Sequence, residues 1–186
     1  MQHKIKNNEQ GYDLATLAGL CKEFSVAKGY HDLLQKLINI SKDIFSSEYA
    51  FLYFPEANEM VSTNKKTLQN QISLKTREII DKTFENNKKI TGKYVSEKKN
   101  RYFFFISFPV TSLNNEFVIY MERPGSAYHD HDIDILNIIV SGFLNHVQKE
   151  MIIREKEKQI KELNTRLKQK EDLLASQNEE LQVQNN

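Results

Sequence analysis

Apolar residues along this chain follow first a helical rhythm, then a strand rhythm, then a helical one again. From Asp13 to about Ala27, Leu14, Leu17, Cys21 and Phe24 recur at the spacing of one helix face. Gly29 punctuates the pattern, and a second helix is predicted from His31 to Phe45. It carries Leu33, Leu34, Leu37, Ile38, Ile40, Ile44 and Phe45, more than a single stripe holds, so cover on more than one side is expected. After Ser46-Ser47 the rhythm changes. YAFLYFP, Tyr49 to Pro55, is short, aromatic and bounded by turn residues, which predicts a buried strand. EANE turns the chain into a shorter strand near Met60 to Thr63. Ser73 to Asn87 reads as a third helix, with Leu74, Ile79, Ile80 and Phe84 as its inward side. Strands follow at Thr91 to Val95, Arg101 to Val110 (RYFFFISFPV) and Phe117 to Glu122 (FVIYME). TSLNNE joins the last two, and its Asn114-Asn115 pair suits the positive backbone angles of a hairpin turn. RPGSA ends the sheet, and a final helix is predicted from about Asp130 to the end of the sequence.

That helix changes character midway. Leu136, Val140, Phe143 and Val147 form an apolar face of globular type, whereas beyond Met151 the apolar residues settle on a seven-residue repeat: Ile153, Ile160, Leu167, Leu174 and Leu181. The position three residues on reads Lys156, Leu163, Lys170, Gln177 and Gln184, so the second seam position is mostly polar. A polar helix of this kind gains little stability alone, and a parallel dimer is expected through Ile153, Ile160, Leu163, Leu167, Leu174 and Leu181. Lys149 to Asn186 holds eight basic and eight acidic residues, the surface of a solvated helix rather than of a nucleic-acid-binding arm. The expected organisation is a flexible 1–12, a domain over 13–150 and a coiled-coil helix over 151–186.

Composition narrows the class. The chain has 186 residues, 39% hydrophobic and 27% charged, with 6 glycines and 3 prolines, which is the profile of a helix-rich globular protein. A formal net charge of +1 removes any global bias toward nucleic acid or an anionic membrane, and neither is expected as a partner. The single cysteine, Cys21, excludes an intrachain disulfide and a Cys-rich zinc site, and the cytoplasm is the expected compartment. No membrane span is expected.

Strand alternation sorts the sheet into two faces. Leu52, Phe54, Phe104, Ile106, Phe108, Ile119 and Met121 form a wholly apolar set, predicted to pack the helices from the two ends of the chain. The other set mixes Phe51, Phe103 and Phe105 with the hydroxyls of Tyr53, Ser107 and Tyr120. These six are the candidate ligand-binding residues, because an apolar surface with a few polar handles suits a small molecule. The competing expectation is that the third helix fills that face.

The order of elements, and the run FISFPVTSLNNEFVIYMERPGSAYHDHDIDIL, resembles the GAF domain family of signalling proteins. That run follows the family's closing pattern: a strand ending in Pro-Val, a turn, an apolar strand, an aromatic residue and a helix opening Asp-x-x-x-Leu. Pro109, Tyr128, Asp132 and Leu136 stand at those positions, and the resemblance covers roughly Asp13 to Gln148. Glu116 stands where family members often have glycine. The resemblance implies an α+β domain with an antiparallel sheet of five to six strands, helices on both faces and a C-terminal helix continuing into a parallel coiled coil. It further implies a regulatory module, without catalytic residues, that dimerises and relays a small-molecule or packing signal to an output domain such as a kinase, nucleotide cyclase or phosphatase. A ligand-free structural dimeriser is the alternative.

The remaining chemical candidates are weighed against this. YHDHDIDIL, Tyr128 to Leu136, gathers acids and histidines, but His129 and His131 point roughly 200° apart on a helix and cannot share an ion. Acids at a helix start complement its dipole, and His129 or Asp130 suits the cap. A dispersed set, His31-Asp32, His129-Asp130 and Asp134, is similar to that of HD-type metal phosphohydrolases, but those folds are all-helical. No metal and no cofactor are expected. Cys21 reads as core packing, and the GAF-like methionine sulfoxide reductases need a second cysteine. The bilin-attachment context and the Asn-Lys-Phe-Asp-Glu signature of cyclic-nucleotide-binding members are not recognisable. Lys88 to Tyr102 holds six basic residues and one acid, read as a solvated loop with a strand rather than a phosphate-contacting patch.

Overall fold

The computed structural model describes residues 18, 19, 22–63, 72–96, 99–111 and 116–184, with side chains to 180. Segment 1–12, Leu14, Leu17 and Cys21, the Asn114-Asn115 turn and the Leu181 side chain lie outside the described residues. The chain divides into two compact units, Met1–His146 and Val147–Asn186.

In the first unit, a 3₁₀ turn at Glu23–Val26 buries Phe24, where a regular helix to Ala27 was expected; Ala27 is already extended. Gly29 then adopts φ 107°, open to glycine at little cost, and starts α1 (Tyr30–Ile44). Strands β1 (Tyr49–Phe54) and β2 (Glu59–Ser62) form a hairpin. Helix α2 (Leu74–Asn86) begins at Ser73, whose hydroxyl accepts from the Thr76 N–H, and ends at Asn87 in the left-handed conformation. Strands β3 (Ile90–Ser96), β4 (Arg101–Thr111) and β5 (Glu116–Pro124) follow, then α3 (Asp130–Gln184).

The five strands make one antiparallel sheet in the order β2-β1-β5-β4-β3, so the last strand sits at the centre beside the first. Both predicted faces are present. On the apolar face Leu52, Ile106, Ile119 and Met121 are wholly buried, as are Leu37 and Ile38 of α1 and Ile139 and Phe143 of α3. Phe143 meets Phe117 and Phe24 edge-on, with ring centroids 6.0 and 5.9 Å apart. On the mixed face Phe51, Tyr53, Phe105, Val118 and Tyr120 cluster with Ile80 of α2. Leu74, expected to point inward, is 85% exposed: it stands in the first turn of α2, whose inward side is carried by Ile79, Ile80 and Phe84.

In the second unit every residue of α3 from Met151 to Glu180 is exposed, and Ile153, Ile160, Leu163, Leu167 and Leu174 are each half or more exposed. No helix among the described residues is long and apolar enough to cross a membrane.

Candidate functional site

Helix α2 covers only part of the mixed face. Over that part, Ile80 is buried and the Thr83 hydroxyl lies 2.7 Å from Ser107 Oγ. The Tyr53 hydroxyl is likewise occupied: it donates to Asn58 Oδ1 at 2.9 Å and accepts from Arg77 at 2.6 Å, and the Arg77 guanidinium lies over its ring. Two of the six candidate residues, Tyr53 and Ser107, are therefore held by helix and turn.

The other four line a cleft of about 770 Å³ between the sheet and the first turns of α2. Phe51 faces Tyr120 across β1 and β5 and stacks on it at 5.1 Å; Phe105 stacks on the other side of Tyr120 at 5.9 Å. Phe103 pairs with Tyr94 of β3 and stacks on it at 5.8 Å. The row of rings requires a glycine: a Cβ on Gly92, opposite Phe105 in the ladder, would stand 2.6 Å from the Phe105 ring.

At the end of the row sits Glu122, 7% exposed. Its Oε1 accepts from the Tyr120 hydroxyl at 2.8 Å and its Oε2 from the Tyr94 hydroxyl at 2.7 Å. Burial first, and the neighbouring Glu122 carboxylate second, push both phenols well above the usual tyrosine range, so they remain donors to Glu122. Sequence reasoning missed Glu122 and Tyr94. The signal was available, because alternation carried two residues past Tyr120 puts Glu122 on the mixed face. At the mouth, Glu48 takes both Lys99 and Arg101, and Lys99 lies 5.3 and 5.4 Å from the ring centroids of Tyr49 and Phe103. Among the other described cations of 88–102, Lys89 meets Asp130 at 3.6 Å and Lys93 lies over Tyr102, on an edge strand where a solvated loop with a strand was expected.

YHDHDIDIL opens α3. The His129 carbonyl accepts the first helical bond from Ile133, and Asp132 Oδ2 reaches back to accept the His129 N–H at 2.9 Å, one half of a capping box. The same oxygen accepts from Arg123 at 2.7 Å. His129 and His131 are exposed, and among the described residues no group of three or more His, Cys, Asp or Glu is placed to hold a metal ion.

The adjoining Tyr128 hydroxyl lies 3.0 Å from Ser47 Oγ. Burial pushes this phenol from 10.0 up to about 12, against the opposing effects of Ser47 and Arg123. A phenol that holds its proton more tightly when folded contributes its full stability below the unfolded value and loses it as pH rises through the folded one. Stability is therefore expected to fall between pH 10.0 and about 12. Tyr128 alone accounts for about 2 to 3 kcal/mol of that fall, and Tyr94 and Tyr120 act in the same direction. Urea unfolding at about pH 9 and about pH 11 checks this; equal midpoints would contradict it.

No protein-family model matches the sequence, and no curated protein matches it. Solved structures do. The chain is similar to the GAF domain of the phosphoenolpyruvate-protein phosphotransferase from Acinetobacter, at 13% identity and a TM-score of 0.53, covering 75% of this chain and 95% of that one. It is similar also to the GAF domain of the corresponding phosphotransferase from Coxiella burnetii, at 13% identity and a TM-score of 0.51, with 76% and 94% covered. Likeness at this identity is likeness of fold, and it agrees with the sheet, its two helical layers and the closing helix: the chain carries a GAF-like domain.

Proposed function

We propose that the protein is a non-enzymatic sensory module. Its cleft takes a small ligand, and its final helix pairs with that of a second copy in a parallel coiled coil and relays the signal to an output domain of a signalling protein in the cytoplasm. The observation that carries this reading is the cleft: about 770 Å³, walled by stacked rings and holding one buried carboxylate, a volume and lining of the kind that small-molecule sites have. Support for the dimer is the row Ile153, Ile160, Leu163, Leu167 and Leu174, exposed at heptad spacing on an otherwise polar helix. Its polar companion positions, Lys156, Lys170 and Gln177, keep the pairing weak, so two arrangements of the helices lie close in energy and a ligand can bias one.

Native mass spectrometry of the purified protein tests both halves. The expected species is twice the 21.8 kDa chain with a retained small molecule. The double variant Ile160→Glu/Leu167→Glu is expected to be monomeric and to lose part of the far-UV helix signal, because α3 beyond Met151 gains little stability without a partner, while the domain core, which neither side chain touches, stays folded. A wild-type monomer overturns the coiled coil. A bare dimer that gains no mass on incubation with a metabolite extract replaces the sensor with a ligand-free structural dimeriser.

A further inference from the structure

The charge distribution inside the cleft points to the class of ligand. Glu122 is almost fully buried, yet among the described residues both hydrogen bonds that its carboxylate accepts come from neutral phenols. Among the described residues no lysine or arginine nitrogen comes within 4.0 Å of its carboxylate. Glu48, at the mouth, shows the contrast: it is matched by Lys99 and Arg101 together. A carboxylate drawn out of water costs several kcal/mol, and neutral donors soften that cost without cancelling the charge. Among the described residues, what Glu122 lacks is a cation.

The surrounding rings suit one. Aromatic faces carry negative potential and attract cations. The outer rings already do so with the chain's own side chains, since Lys99 lies over Tyr49 and Phe103 and Arg101 lies over Phe103 at 4.9 Å. Deeper in, Phe51, Phe105 and Tyr120 form the apolar wall beside Glu122. An anionic ligand would meet the opposite conditions. It would be brought beside a buried carboxylate, and among the described residues the cations that line the cleft, Lys75 and Lys99, are exposed to water, Lys99 being already paired.

Resting on the reading of the cleft as a ligand site, we propose that it takes a small molecule carrying a protonated nitrogen on an apolar body, with the nitrogen against Glu122 and the body against the stacked rings. Tyr94 and Tyr120 orient the carboxylate by holding one oxygen each, leaving a lone pair on each for the ligand's N–H groups.

The test uses the full chain and three probes of one shape: benzylamine, protonated at neutral pH, benzyl alcohol and benzoate, each titrated while amide and methyl NMR shifts are followed. Benzylamine is expected to perturb residues of the cleft and to bind roughly tenfold or more tightly than the other two. That preference is expected to vanish in Glu122→Gln, which keeps the shape and an acceptor but removes the charge. Should Glu122→Gln fail to fold, intermolecular NOEs from the benzylamine methylene to Glu122 and Tyr120 in the wild type decide the placement, and their absence overturns it. Benzyl alcohol or benzoate binding the cleft as tightly as benzylamine overturns the cationic ligand and leaves the sensor reading standing. No response to any probe overturns the inference; a protein that is also bare by native mass spectrometry takes the ligand-sensing reading down with it.

Discussion

Phe143→Ala is expected to lower the unfolding free energy by roughly 3–5 kcal/mol, the largest effect of any single truncation considered for the domain. The Phe143 ring has no exposed surface and is the meeting point of three chain segments: its own helix, Phe117 on the central strand and Phe24 in the turn that precedes α1. Truncation removes the apolar contact area and both edge-on ring contacts, and the cavity cannot close from the sheet side, because Phe117 is fixed by the strand ladder and packs at 5.2 Å, tilted, against Phe54. Phe143→Leu retains most of the volume and is expected to cost about 1–2 kcal/mol. Urea denaturation followed by circular dichroism separates the two variants. A loss under about 1 kcal/mol for Phe143→Ala would mean that Phe24 and Phe117 collapse into the space, and that this layer is not the close-packed contact described.

Arg123→Ala is expected to cost about 3 kcal/mol. The guanidinium gathers the end of the sheet and the start of α3: it donates to the carbonyls of Phe45, Ser126 and Ala127, pairs with Asp132 and lies 4.2 Å from the centre of the Tyr128 ring. With side chains only 13% and 19% exposed, Arg123 and Asp132 form a pair that solvent screens poorly, so this is not a surface bridge of small worth. Removing the arginine strands a partly buried carboxylate and three turn carbonyls. Lysine restores the charge but not the planar fork that serves several acceptors, and Arg123→Lys is expected to recover less than half of the loss. Asp132→Asn keeps a cap for the His129 N–H while removing the charge. A double-mutant cycle of Arg123→Ala with Asp132→Asn should therefore show strong coupling, whereas additive losses would place the stability in the carbonyl contacts alone.

These two residues illustrate how unevenly the fold was legible. Phe143 stood out on a helical apolar face with Leu136 and Val140, and its burial follows directly. Asp132 was legible as an acid in a helix's first turn, but its bond to Arg123 joins residues from different elements, and no periodicity marks such a pair. The same division runs through the cleft. Alternation placed Phe51, Phe103, Phe105 and Tyr120 on one face, and the sheet registers bring the rings of Phe51 and Phe105 onto Tyr120 and that of Phe103 onto Tyr94. It placed Tyr53 and Ser107 there too, yet both are occupied, by Arg77 and Asn58 and by Thr83 respectively. Glu122 went unnoticed because a glutamate at a strand's end ordinarily faces water; here the strand continues to Pro124 and the residue is enclosed. Leu74 erred the other way. It matched the apolar spacing of α2, but that spacing has no knowledge of where the sheet lies beneath the first turn.

The sequence by itself determined what is settled within a few residues: the alternating faces of β1, β4 and β5, the break at Gly29, the bounds of α2 near Ser73 and Asn87, and the heptad repeat from Ile153 onward. Backbone geometry sets those, since strand and helix periods and the φ values open to glycine and asparagine are local properties. Only the tertiary structure decided that α2 lies over Tyr53 and Ser107 and that a cleft beside it is lined by Tyr120 and Glu122. A helix is positioned on a sheet by the fit of side chains distant in sequence, Ile80 and Thr83 against Ser107 and Val118, and that fit arises only when the strands have paired.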